Sequence, residues 1–400
     1  MRQRYTLYVY YGMDEALEAL STVEAPVSSA FQGNAFLTAF YRNAPANCQP
    51  LVVRIVLDGR TLMLLPLVLR RSGSMRHIEA ADLGLSDYVA PVLAENFEPT
   101  RADMIEIWRE LVALLPQADI ISLKKIPATI CSGRRNPLTL LPDMAEMGVV
   151  TKRFDLLTPE GDAGFRRSGY YKEGQRHLRR LRAAEPAVEF RIAATVDQAQ
   201  EHFGHFLEQR LQRFTELGRA DPLARPEVQS FYREMLTEGV PAGSVMFGAL
   251  FSAGECIATD FGLIHDSTHH GVLTSMTSGP LRRFSPGTVA HVLMLDETVA
   301  RGIRSYDLGV GEFAYKARLP GEETPLYERH QALSLRGGVA LAEARLRRMV
   351  RQGLSRYPGL RQTAEQMRRR LRRWRSLPAA SSLSLAEPCI SVATHAAGLA

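Results

Sequence analysis

The chain has 400 residues, 46% hydrophobic, 23% charged and 8% aromatic, an ordinary globular balance with enough apolar material for two domains or one large composite domain. Its net charge of +6 is unevenly placed: twelve arginines against Glu365 between Arg345 and Arg375 give +11, and six arginines with Lys172 against Glu173 between Arg166 and Arg182 give +6, leaving −11 for the remainder. An acidic body with two basic segments argues against a broad nucleic-acid surface and for two local anionic partners.

The opening MRQRYTLYVYYGMDEAL lacks the apolar stretch and cleavage site of a secretory signal. The longest aliphatic run, LMLLPLVL at 62–69, is far short of the about 20 residues a membrane span needs. With Pro66 inside it, the run reads as a buried strand with a bulge or break. Cys48, Cys131, Cys256 and Cys389 are scattered without a CxxC pair, which fits reduced thiols in the cytoplasm and no structural zinc.

In chain order, 51–57 and 61–69 form strands joined at Asp58-Gly59, a strong hairpin signal. A helical pattern runs from Arg101 to Leu115, and ADIISL at 118–123 reads as a short buried strand. Residues 161–182 look like a basic helix, EPAVEFRI a turn and strand, and 195–238 largely helix. The first order then recurs. Strands at 244–251 and 256–264 flank Ala253-Gly254, and a third strand covers 270–276. A helix runs from Thr288 to about Gly302, and RSYDL at 304–308 is the closing strand. Hairpin, helix and buried strand thus occur twice, some 185–195 residues apart, which suggests duplication of one α/β unit. Beyond 338 come two amphipathic helices and a small, polar tail at 377–400 that reads as disordered.

The chemistry is concentrated in LRRFSPGTVAHVLMLDETVARGIRSYDLGVGEFAYKARL, residues 281–319. Arg282 and Arg283 precede a turn, Ser285-Pro286-Gly287-Thr288, that feeds a helix N-terminus. Unpaired amides and the positive end of the helix dipole make such a terminus an anion site suited to a pyrophosphate. Pro286 has no donor to lose in the first turn, and Gly287 admits close approach to the backbone. An ordinary capped helix with two solvated arginines is the alternative.

Residues 281–319 resemble the acyl-CoA-binding core of the GNAT fold and, more narrowly, the CelD-like acetyltransferases associated with bacterial exopolysaccharide and cellulose biosynthesis. In GNAT proteins the pyrophosphate loop reads (Q/R)xxGx(G/A). Arg282, Ser285 and Gly287 follow it, with serine in place of the first glycine. Tyr306-Asp307, Gly309-Val310-Gly311-Glu312 and Tyr315-Lys316 continue the likeness. In the first half, Phe31-Gln32, PLVLRR at 66–71 and Gly84-Leu85-Ser86-Asp87-Tyr88 resemble the same family, and the basic helix at 166–182 resembles a segment shared with FemAB peptidoglycan aminoacyltransferases.

The resemblance implies an α/β (α+β) protein of two tandem GNAT-like domains, each a mixed twisted sheet flanked by helices, followed by C-terminal helices. The expected divisions are 1–150, 151–337 for the acyl-CoA-binding domain, 338–376 for the basic helices and 377–400 for the tail. It implies an acyl-CoA-dependent N- or O-acyltransferase, using acetyl-CoA or another acyl-CoA and no metal. The acceptor would be a sugar, a cell-envelope precursor or a small metabolite. The alternatives are a FemAB-like transferase using aminoacyl-tRNA, and a non-catalytic scaffold for polysaccharide biosynthesis. Donor binding falls to Arg282, Arg283, Ser285, Gly287 and Thr288.

Acyl transfer removes a proton from the acceptor and returns one to the thiolate. Tyr315 is the candidate acid, on the family's habit of a tyrosine there, with ring packing as the alternative. Asp307 is either the base or a cap on the glycine-rich turn. Asp260, in an otherwise apolar strand, needs a partner if buried and is a second candidate base. Lys316 and Arg176 are candidate substrate contacts, with solvated cations as the alternative. His291 reads as a packed residue, and His265, His269 and His270 lack metal-ligand spacing. Between 345 and 375, the stripe Leu360, Ala364, Met367, Leu371 and Trp374 among arginines suits either the inner surface of an anionic membrane or the protein's own core. Nucleic acid enters only as tRNA in the alternative reading.

Overall fold

The computed structural model describes residues 5–158, 160–311 and 314–355. The expectations for the second basic helix and the tail fall on 356–400, outside the described residues. The first half runs β1 (Thr6–Tyr11), α1 (Met13–Leu20), β2 (Pro26–Val27), α2 (Asn34–Arg42), β3 (Cys48–Leu57), β4 (Arg60–Ser72), β5 (Met75–Ala80), β6 (Val92–Ala94), α3 (Arg101–Leu114), β7 (Ile120–Pro127) and β8 (Ala145–Asp155). The second half runs α4 (Gly169–Ala184), β9 (Glu189–Ile192), α5 (Val196–Glu216), α6 (Pro226–Gly239), β10 (Val245–Ser252), β11 (Glu255–His265), β12 (Thr268–Met276), α7 (Pro286–Ala300), β13 (Ser305–Val310) and β14 (Glu322–Ala332), before α8 (Leu335–Ser355).

The strands form one mixed sheet in the order β1-β3-β4-β5-β7-β14-β8-β13-β12-β11-β10-β9, with β6 joining β2 to β4. Each half is an antiparallel meander followed by a parallel partner, β5 with β7 and β12 with β13. The meanders turn on matching type I′ geometry, since Asp58-Gly59 and Ala253-Gly254 all have positive φ. The expected repeat is present in space: α3 and α7 each begin 185 positions apart, as do β7 and β13.

Two polar strands at the centre were not anticipated. β8 and β14 pair with each other, and each also closes the opposite half: β14 pairs with β7, β8 with β13. The position 150/151 lies within β8. Of the bulge or break expected in this run, the break is absent: β4 runs unbroken through Pro66, and its register shift falls at Leu62 instead. On that edge β4 changes partner between Leu64, opposite β6, and Leu67, opposite β5. The Pro66 carbonyl faces the gap and accepts from Ala81 N–H, so the missing donor falls where no strand needs it.

One face of the sheet carries α1, α2, α5 and α6 over a core shared by both halves, with Phe36 of α2 edge-on to Phe231 of α6 at 5.0 Å. On the other face α3 covers the first half, and α4 and α7 cover the second. Gly174 lets α4 lie close on α7, since a Cβ there would meet Val292 at 2.5 Å. Among the described residues no helix is long and apolar enough to cross a membrane.

Candidate active site

Strand β12 leads through a short turn at Pro280–Phe284 into α7. Ser285 holds the left-handed conformation, φ 49° and ψ 57°, and α7 starts at Pro286 without a side-chain cap. Helix geometry gives the Gly287 and Thr288 amides no intrahelical acceptor. A Cβ on Gly287 would make only ordinary contact, with Met276 at 3.5 Å. The fold therefore does not require glycine there, whereas a ligand approaching the amides would. Arg282 is half-buried, and Arg283 lies over the Phe284 ring at 4.8 Å with Arg180 of α4 over the same ring at 6.0 Å. Arg176 is exposed on α4, 3.9 Å from Glu173.

Behind this turn, on the α7 face, Asp260 meets His291: Oδ2 and Nδ1 are 2.9 Å apart and both side chains are buried. Tyr170, Tyr306 and Tyr315 surround the imidazole, with ring centroids at 5.7, 5.3 and 6.0 Å. Tyr170 also bonds Thr288 and so ties the cluster to the first turn of α7. Burial, reinforced by the charge of Asp260, pushes all three phenols above their ordinary value. They stay protonated at neutral pH and present O–H donors around the pair.

Asp307 follows Tyr306 in β13 and therefore points to the opposite face. Strands β12 and β13 pair only at Thr268–Ser305, His269–Tyr306 and His270–Asp307. Beyond these positions they diverge, and residues of the first half enter. The Tyr88 hydroxyl lies 2.7 Å from both Asp307 oxygens and also meets the Thr151 hydroxyl, while Gly309 N–H donates to Asp307 at 2.7 Å. His270 Nδ1 is 3.5 Å from the carboxylate. Burial alone would raise the Asp307 pKa, but His270, Tyr88 and the Gly309 amide outweigh it and hold the group below its usual value. The neighbouring Asp87 behaves oppositely: burial pushes it up to about 6, against Lys125 and Lys316. Lys316 donates to the carbonyls of Gly309 and Val310 at 2.9 and 3.1 Å, and burial lowers it to about 8 against the pull of Asp87 and Asp307. Gly309 is obligatory, since its φ is +68° and a Cβ would meet Asp87 Oδ2 at 2.2 Å.

The residues named from the sequence therefore fall into three groups. Arg282, Arg283, Ser285, Gly287 and Thr288 share the α7 turn. Tyr315 and Asp260 meet around His291. Asp307 and Lys316 lie across the sheet, and Arg176 stands apart on α4. Asp87, Tyr88, Thr151 and His270 join the site only in the fold, although GLSDY carries the family likeness in the sequence. Nothing local to those residues reveals which strand ends they reach.

Residues 169–317 match the model of a family described as an acetyltransferase (GNAT) domain. Among solved structures, FemX is similar with a TM-score of 0.53 at 7% identity, over 81% of this chain and 96% of that one. The C-terminal domain (DUF2156) of a putative lysylphosphatidylglycerol synthetase from Agrobacterium fabrum gives 0.51 at 14% identity, over 84% and 97%. At these identities the likeness is one of fold. No curated protein matches the sequence. The match over 169–317 and these likenesses together show a GNAT-like fold.

Proposed function

We propose that the protein is an acyl-CoA-dependent N- or O-acyltransferase, most simply an acetyltransferase, acting on a sugar, cell-envelope precursor or small metabolite. The observation that supports it is the N-terminus of α7, left without a side-chain cap beside Arg282 and Arg283. There the amides of Gly287 and Thr288 receive the diphosphate, and the diverging edges of β12 and β13 take the thioester arm. The acceptor gives its proton to Asp307 or to the Asp260–His291 pair. Tyr315, on the α7 face, protonates the departing thiolate. Titration calorimetry with acetyl-CoA tests the reading: micromolar-range binding is expected of the native chain and not of Gly287→Trp, and absence of binding by the native chain overturns it.

A second donor, aminoacyl-tRNA, draws support from the exposed Arg176, Arg179, Arg180 and Arg182 on α4, beside the same turn. It predicts transfer that requires charged tRNA and proceeds without acyl-CoA.

A further inference from the structure

Where β5 and β7 begin and β14 finishes, a cleft of about 530 Å³ opens beside the C-terminus of α3, a volume in the range of small-molecule sites. Val112, Leu115 and Leu333, packed against the first-half core, give it an apolar wall, and Ser74, Arg76 and Arg336 give it a polar one. Arg76 shares a face of β5 with Ile78 and Ala80, so its side chain lies towards α3. Its Nε is buried without a hydrogen-bond partner, and the guanidinium makes no ion pair among the described residues. The carboxylate beside it, Asp119, is committed elsewhere, accepting from Arg76 N–H at 2.9 Å and from the Ser334 hydroxyl at 2.6 Å. Arg336, in the first turn of α8, reaches the turn between β4 and β5 and donates to the Ser74 hydroxyl at 2.7 Å. A Cβ on Gly337 would meet the Asp119 carbonyl at 1.9 Å, so α8 starts hard against β7 and fixes where Arg336 stands. A buried guanidinium N–H without an acceptor opposes folding. The cleft is separate from the Asp307 cluster: along β14, eight positions divide Thr324, opposite Thr151, from Ala332, opposite Ile120, about 26 Å of strand.

We propose that this cleft is a second ligand site, which takes a small molecule carrying an oxyanion, a carboxylate or a phosphate ester, on an apolar body. The oxyanion is held between the Arg76 and Arg336 guanidiniums, whose planar donors suit either group. The apolar body lies on Val112, Leu115 and Leu333. Asp119 does not compete for the guanidiniums, because the Arg76 amide and Ser334 occupy its oxygens. The site is independent of the acyl-transfer reading and stands or falls apart from it.

The test is calorimetry on the full chain with phenyl phosphate, benzoate, benzyl alcohol and inorganic phosphate. At least one aromatic anion is expected to bind about tenfold or more tightly than both benzyl alcohol and inorganic phosphate, and which one does so identifies the oxyanion. Arg76→Gln and Arg336→Gln should each weaken that anion about tenfold without changing acetyl-CoA affinity, while Arg282→Ala, at the α7 turn, leaves the anion's affinity as it was. Equal binding of benzyl alcohol or inorganic phosphate, no binding of either aromatic anion, undiminished binding by either glutamine variant, or loss of binding in Arg282→Ala overturns the site. Since the probes are titrated without acetyl-CoA, a failure of the donor reading is seen separately.

Discussion

Helices α3 and α7 occupy equivalent places in the two halves, but their N-termini are finished in opposite ways. At α3, the Thr100 hydroxyl accepts from Asp103 N–H and the Asp103 carboxylate accepts from Thr100 N–H, a complete capping box. The orphan amides are used, and a carboxylate sits on the positive end of the dipole. At α7 the cap residue is Ser285 in a left-handed conformation without a side-chain bond, and the flanking charges are arginines. The first half uses these amides in its own cap and keeps a stable helix start. The second half forgoes a cap worth about 1 kcal/mol and keeps its amides available. In exchange the first half lends Asp87 and Tyr88 to the strand divergence of the second.

The sharpest test of this contrast is a matched pair at the second helical position. Gly287→Trp should lower acetyl-CoA affinity at least about 100-fold, whereas Ala102→Trp, at the exposed equivalent in α3, should leave calorimetric affinity unchanged. Equal effects would erase the distinction. Tyr315→Phe should slow acyl transfer by about 100-fold without changing acetyl-CoA affinity, read by thiol release over a panel of amine and hydroxyl acceptors.

Asp87 is the first half's buried contribution, and its carboxyl is raised to about 6 from 3.8. A raised carboxyl favours the protonated form in the folded state, so its stabilising effect is full below the unfolded value and is lost as pH climbs through about 6. Native stability should therefore fall relative to Asp87→Asn between about pH 4 and 6, by at most about 3 kcal/mol, in urea melts across that range. A parallel pair of curves would show that Asp87 is not held as described. Arg282→Ala and Arg283→Ala should each weaken acetyl-CoA binding by about tenfold or less, with the loss shrinking at high salt. Least of all, Thr100→Ala should cost about 1 kcal/mol in denaturant melts with no change in acetyl-CoA binding.

Much of the fold can be read along the chain because its signals are local. Asp58-Gly59 and Ala253-Gly254 declare their hairpins, and the apolar positions of 101–115 and 288–302 declare their helices. The Ser285-Pro286-Gly287-Thr288 turn is equally local, since a helix start depends on four consecutive residues. The central strands were invisible for the complementary reason. β14 (EETPLYERHQA) and β8 (AEMGVVTKRFD) carry charges, Pro325 and Gly148, and neither alternates cleanly. They become strands because each has a waiting edge on both sides. Pro66 misled in the same way, its tolerance depending on which strand lies across from it.

By itself, then, the sequence determined the repeated α/β unit, the acidic body with its basic segments, and a turn at 282–288 that feeds a helix N-terminus. Tertiary structure alone decided that Asp260 pairs with His291 and that Tyr88 reaches Asp307 across 219 positions. It also set Tyr315 and Asp307 on opposite faces of the sheet. Turns and helix starts are fixed by neighbours in the chain, whose geometry the residues carry with them. A buried charge takes its partner and its pKa from whatever packing brings near, and no local pattern encodes that.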